Sequence, residues 1–433
     1  MNRSILLSVI FALIGFNLVA QQSSTQIVDK NYVQRLLNTL ASDEMGGRPA
    51  FSPHIAKAAD FIAEEFRQIG LQPYAEPNFR QTFHMNKISR ISSKVIFDNK
   101  ELTTDEFLIM GNNPKIEWNE KSNITIKQIR KEDDFSSTFR KLVQGNEDVI
   151  VLVDPSYASY IARFNKIYSR ETVIGENQPK GATKLFVLES QLPKMYTVIS
   201  ENETKKIDFF NVAAVIPGKS KPNEYVVFSA HYDHIGIIQA DGQDSIANGA
   251  DDDASGTSAM ISLARYYKER DNNERTLIFV AFTAEEVGMY GSKYFSNNIN
   301  ADSVVAMINI EMIGKDSKFG PNTLYLTGYD RSNLGELMQQ NLKNTAFIFH
   351  PDPYPKQNLF YRSDNAVLAA LGVPAHTFST SQIDKDTYYH TVKDEVSTLD
   401  IDNITSSIEA IALGAEGIVN GKQTPSRVEK LKD

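Results

Sequence analysis

Residues 224–256 read EYVVFSAHYDHIGIIQADGQDSIANGADDDASG. The run Tyr225–Ala230 is almost wholly apolar and β-prone, the texture of a strand buried on both faces. It breaks off in His231, Tyr232, Asp233 and His234, and a polar loop leads to Asp251, Asp252 and Asp253. A helical pattern then begins, with Met260, Leu263, Ala264 and Tyr267 on one side. Strand, polar loop and helix in succession are the repeating unit of an α/β sheet.

Downstream the unit recurs. Strand candidates are Phe209–Pro217, Tyr225–Asp233, Thr276–Thr283, Val304–Met312, Asn322–Tyr329 and Pro374–Thr380. Helix candidates are Thr257–Arg270, Gly291–Asn298, Asn333–Lys343, Asp364–Leu371 and Ile404–Val419. The alternation predicts a mostly parallel sheet with helices on both faces.

Upstream, Val33, Leu36, Leu37 and Leu40 predict one helix, and Ile55, Ala58, Ala59, Ile62 and Phe66 a second that ends at Gly70. Between them lies the glycine- and proline-rich loop ASDEMGGRPAFSPH, whose Asp43, Glu44 and Arg48 are candidates for function but read first as a solvated loop with internal ion pairs. Residues 85–205 differ in texture. SSKVIFD, NITIKQI, DVIVLVD and TKLFVLES alternate with polar turns and no long helix pattern intervenes, so an inserted β-rich subdomain is expected, with Trp118 as a packing residue. The expected division is 1–20 leader, 21–84 and 206–433 main domain, and 85–205 insert.

The chain has 433 residues, 41% hydrophobic and 23% charged, which is globular composition. With 45 basic against 54 acidic residues the net charge is −9, which argues against a nucleic-acid surface. Arg3 precedes an apolar run from Ile5 to Ala20, a secretory signal pattern too short for a membrane anchor. A soluble protein, secreted or periplasmic, is expected after cleavage. There is no cysteine, hence neither a disulfide nor a lipoprotein attachment site.

Polar residues gather at the carboxyl ends of the predicted strands: His231 and Asp233, then Glu285 and Glu286, then Glu311. Ligands of open α/β sheets bind there. Imidazoles and carboxylates together are zinc ligands, and a catalytic site needs about three per ion with one position open. His231 and one of Asp251, Asp252 or Asp253 would begin such a site. In the Glu285–Glu286 pair, one carboxylate can hold metal while its neighbour serves as a base. Of the remaining histidines, His54, His84 and His350 read as surface residues and His376 as a satisfied core histidine. His390, after two tyrosines in a loop, is the best second imidazole.

The motifs HYDH, GADDDASG, TAEEVGMYGS, NIEMIG, RSDNAVLAALGVPA and YYHTVKDE, in this order, resemble the co-catalytic di-zinc aminopeptidases of the MH clan. The segment LASDEMGGRPAFSPHIAKAADFIAEEFRQIGL is similar to that family's N-terminal part. The resemblance covers roughly 27–71 and 211 to the C-terminus. It implies a three-layer α/β/α zinc exopeptidase fold and two Zn2+ per chain. His231 and Glu311 would hold one ion, Glu286 and His390 the other, with Asp252 bridging them. Asp233 would orient His231, and the bond from Asp252 to Asp253 would be cis.

Glu285 would be the general base and Tyr389 would polarise the scissile carbonyl of a peptide with a free N-terminus. Relatives carry Asp at the position of Glu311 and often His at that of Asn365. Arg362 would touch substrate or form a surface ion pair. The same architecture also serves glutaminyl cyclases, glutamate-carboxypeptidase-like enzymes and non-catalytic receptors.

Overall fold

The computed structural model describes residues 27–168, 171–176 and 181–431. The expected leader, 1–20, lies outside them. No helix among the described residues is long and apolar enough to cross a membrane.

Apart from the separate hairpin of Gly236–Asp241 and Asp244–Ala247, the strands at positions 212–379 belong to one mixed sheet. Lys221–His231 lies at its middle, parallel to Arg275–Phe282 on one side and to Val304–Ile310 on the other. Beyond Val304–Ile310 comes the parallel strand Ala375–Ser379, and then Thr323–Leu326 and Ile348–Pro351. On the other side, Tyr196–Ile216 pairs antiparallel with Arg275–Phe282, and Arg80–Phe97 with Tyr196–Ile216. All six strand candidates downstream of Asp208 fall on strands of this sheet. The short Ile348–Pro351 strand had no periodic signal.

Alternation along the central strand sorts the two cores. Val226, Phe228 and Ala230 point into the larger cluster with Leu36, Leu40, Ile62, Phe66, Met260 and Leu263. Val227 points to the opposite face, with Ile278, Val280, Phe295 and Leu368. Two helix layers therefore sandwich the sheet. The helix at Lys30–Leu40 is capped by the Asp29 carboxylate, which accepts from the N–H groups of Asn31 and Tyr32. The next, Pro53–Ile69, starts with Ser52 and Pro53 and stops at Gly70, whose left-handed φ of 81° favours glycine.

Residues 107–187 contain a separate four-stranded sheet in the order Phe107–Met110, Lys184–Val187, Val149–Val153 and Thr125–Ile129. Contrary to the β-rich reading, two helices accompany it, Phe135–Gln144 and Ala158–Tyr168. No long helix pattern is evident there in the sequence, yet Phe135, Phe139 and Ile161 pack from these helices on one side of the small sheet. Trp118 is buried against its other side. The long strands Arg80–Phe97 and Tyr196–Ile216, paired along most of their length, run from the main sheet into this insert.

Candidate metal centre

Parallel register brings the carboxyl ends of the central strands level. His231 is opposite Phe282, and Ile310 is opposite Phe378. The chain turns sharply just beyond: Ala284 has φ 59° and Met312 φ 51°, left-handed values uncommon outside glycine. Those turns set Glu285 and Glu286 beyond one strand and Glu311 beyond another. Such strain concentrates at functional sites. His390 has φ 56°, so the third contributing loop is also held in an uncommon backbone conformation.

Two clusters result. Ligand-type atoms of His231, Asp252 and Glu311 lie within 4.8 Å of one another, as do those of His234, Asp252, Glu286 and His390. Asp252 belongs to both. His231 Nε2 lies 3.2 Å from Asp252 Oδ1; His390 Nε2 lies 3.2 Å from Asp252 Oδ2 and 3.1 Å from Glu286 Oε2. Every predicted ligand is therefore gathered here, and His234 joins them. The Glu311 arm reaches the cluster that relatives serve with Asp.

The donor set fits divalent metal. His231 Nε2, Asp252 Oδ2, Glu311 Oε2, Glu286 Oε1, His234 Nδ1 and His390 Nε2 are buried and have no hydrogen-bond partner in the protein. Buried polar atoms are otherwise almost always bonded, and buried charges are paired or coordinate metal. Protonation tells the same story. Burial alone would raise the Asp252 carboxyl, yet His231 and His390 hold it well below the ordinary range. Burial opposes charge on His390 too, but the carboxylates of Asp252 and Glu286 beside it push it up to about 10. The carboxylates thus demand positive charge, and divalent cations would supply it in place of those protons.

A ring of supporting contacts fixes the ligands. His231 Nδ1 faces the backbone carbonyl of Asp233 at 3.1 Å. The Asp233 carboxylate is 3.9 Å from that ring and instead accepts from the N–H groups of Glu285 and Glu286, at 3.0 and 3.4 Å. Asp233 therefore orients His231 through its main chain, because two backbone donors claim its side chain. Asp253 accepts from the N–H groups of His231, Gly256 and Met312, stitching three elements together. The bond from Asp252 to Asp253 is cis. Gly256 is required by space: a Cβ there would meet the Ile310 carbonyl oxygen at 2.2 Å.

Two supporting residues escaped the sequence reading. Asp394 accepts from the N–H groups of both Asp251 and Asp252, at 2.9 and 3.0 Å. Arg48 was expected in a solvated loop but is fully buried, donating to the carbonyls of Leu40, Tyr232, Asn248 and Gly249. Its charge lies behind Asp252, Asp394, Asp233 and Asp253, which oppose the effect of its burial. A GGRP loop carries no sequence sign of that destination. Asn365, where relatives often have His, bonds the carbonyls of Phe360 and Ala375 and accepts from Thr377, a packing role beneath the centre.

Burial raises the Glu285 carboxyl well above its usual range, and the nearby carboxylates of Glu311, Asp364 and Glu286 add to the effect against the pull of His231. A cavity of about 300 Å³ opens beside Glu311 and is lined by Met312, Tyr325, Arg362, Ile383 and Tyr389 among others. The Tyr389 ring stacks on His390 at 3.9 Å. Arg362 makes no salt bridge among the described residues, so the surface ion pair is not seen. His376 is the satisfied core histidine expected, bonded to Ser332 and the Thr327 carbonyl. His84 is half-exposed beside Asp208, and His350 stacks on Phe319.

Residues 211–414, which contain all of these ligands, match the sequence model of peptidase family M28. A probable zinc metalloprotease of Leptosphaeria maculans is 34% identical over 109 residues, 25% of this chain and 25% of its own length. A probable leucine aminopeptidase of Trichophyton verrucosum is 28% identical over 221 residues, 49% of this chain and 56% of its own. The chain thus spans less than two thirds of either relative. Among solved structures, an aminopeptidase from Aneurinibacillus sp. strain AM-1 superposes with a TM-score of 0.57 at 19% identity, covering 94% of this chain and 97% of that one. A zinc aminopeptidase from Bacillus subtilis gives 0.54 at 13% identity, covering 92% and 97%. These two likenesses show the fold, a zinc aminopeptidase architecture. The stretch that carries every ligand, residues 211–414, is thus similar to peptidase family M28.

Proposed function

We propose that the protein is an exported aminopeptidase that removes the N-terminal residue of peptides at a centre for two zinc ions. The observation that carries this reading is the pair of orphaned ligand clusters sharing Asp252. Export rests on the leader pattern at residues 1–20 alone.

In the proposed centre His231, Asp252 and Glu311 would hold one ion, and Asp252, Glu286 and His390 the other. Zinc so held would supply Lewis acidity to the scissile carbonyl and make a water acidic enough to give up a proton near neutral pH. Glu285 takes that proton on a carboxylate oxygen. Its raised affinity for protons, set by burial and the surrounding carboxylates, suits it to pass the proton on to the leaving amine. Tyr389 lines the cavity beside Glu311 and offers its phenolic O–H to the oxygen on which negative charge develops. Arg362, on the same cavity, is placed to donate to a backbone carbonyl or a product carboxylate of the substrate. The side chain of the residue to be released would occupy the 300 Å³ space.

The test is to screen aminoacyl chromogenic amides with and without chelator while measuring metal per chain. Chelator-sensitive amide cleavage supports the reading. Pyroglutamate formation in its place would assign the site to a cyclase.

A further inference from the structure

We propose that His234 is a fourth protein ligand of the second metal position, so that the two positions are unequal: three protein ligands at one, four at the other. This inference rests on the two-metal reading above and adds to it a ligand that the family resemblance did not imply.

His234 Nδ1 lies 2.8 Å from Glu286 Oε1 and 3.7 Å from Asp252 Oδ2. The separation from Glu286 is that of a hydrogen bond, yet neither Nδ1 nor Oε1 has a hydrogen-bond partner. Both atoms are buried, they have each other's charge as their neighbour and no geometrically satisfied hydrogen bond, and a cation among the His234, Asp252, Glu286 and His390 atoms would serve both. The His390 ring meets the His234 ring edge-on, with 5.6 Å between centroids and an angle of 71°. Two imidazoles thus approach the same place from different directions.

The His234 ring is held firmly. Its backbone N–H donates to the Arg48 carbonyl at 3.2 Å, and its side chain is wholly enclosed. Gly249 lies against it so tightly that a Cβ would meet ring carbons at 2.6 Å. This is a rotamer fixed for ligation.

Zinc with three protein ligands keeps an open position, whereas four close a tetrahedral site. The position of His231, Asp252 and Glu311 is therefore the one open to substrate, and Glu311 lines the cavity. The position of His234, Asp252, Glu286 and His390 holds its ion more tightly and presents less of it.

The experiment loads the full chain, its His234→Ala variant and its His234→Cys variant with cobalt(II) alone. Affinity is read by chelator competition and coordination by visible and near-ultraviolet absorption. The wild type should bind two ions. His234→Ala should keep one and weaken the other by more than about 100-fold, beyond the 10- to 100-fold loss typical of an outer-shell partner. His234→Cys should restore the second ion and add a thiolate-to-cobalt charge-transfer band. The chain has no other cysteine, so that band can come only from position 234.

Two tightly held ions in His234→Ala, or two ions in His234→Cys without the band, would overturn the assignment. Should His234→Ala fail to fold by circular dichroism, His234→Cys decides alone. Fewer than two ions in the wild type would instead overturn the two-metal reading on which the inference rests.

Discussion

The carboxyl end of the main sheet and the insert at 107–187 handle buried polarity in opposite ways. At the sheet end, ligand-type atoms of His231, His234, Asp252, Glu286, Glu311 and His390 are enclosed without partners. Among the described residues from 91 to 199, no buried side-chain polar atom lacks one. The insert is closed mainly by aliphatic and aromatic contacts, with Phe139 against Phe164 and Phe186 on one side and Trp118 with Val198 on the other, and its buried Lys184 and Thr183 are hydrogen-bonded. An unsatisfied buried polar group costs roughly 1–3 kcal/mol. A fold that tolerates several in one place and none in the other holds its chemistry in the first and its stability in the second.

The contrast breaks most sharply at the residue common to both clusters. Asp252→Ala should cost the chain both ions and reduce amide cleavage to background, measured as metal per chain beside rate. Retention of two ions would remove the bridge from the account. Next, Glu285→Gln should lower kcat by about 10²- to 10⁴-fold while both ions stay bound. A variant that loses metal instead would make Glu285 a ligand rather than a base.

The insert should respond in the other currency. Phe186→Ala removes a fully buried ring and should destabilise by about 3–5 kcal/mol in chemical denaturation, with metal content unchanged in the folded protein. Loss of metal there would show that the two regions are coupled.

A smaller effect distinguishes the satisfied histidine from the orphaned ones. Burial lowers the His376 imidazole to about 4 from its ordinary value near 6.5, so the folded state binds the proton less well than the unfolded chain. The contribution is fully favourable above about pH 6.5, and stability is lost as pH falls from there towards 4. The penalty approaches on the order of 3 kcal/mol at the acid end. Urea midpoints of wild type and His376→Gln, taken without metal, should therefore converge as the solution is acidified. A constant gap would contradict the assignment.

The sheet was legible because its strands are continuous apolar runs that stop at chemistry-bearing residues. His231, Glu286, Glu311 and His390 could each be picked out at the end of such a run or beside it. What the sequence hid was direction and distance. His234 shares a tetrapeptide with His231, yet nothing in HYDH says that its ring turns towards Glu286. Asp394 reaches the amides of Asp251 and Asp252 across more than 140 positions. Arg48 sits in a loop of glycines and prolines, a composition that reads as surface until the chain packs over it. The insert's helices were missed because aromatic-rich segments such as Phe135–Gln144 suit a strand or a helix equally well without their partners.

The most direct test of the central claim is zinc per chain in the purified protein, measured by elemental analysis as chelator is raised, with cleavage of an aminoacyl amide followed in the same samples. The account predicts two ions at the start, stepwise loss with the ion at the three-ligand position leaving first, and cleavage falling with that first step. A single ion, or full cleavage after both have gone, would contradict it.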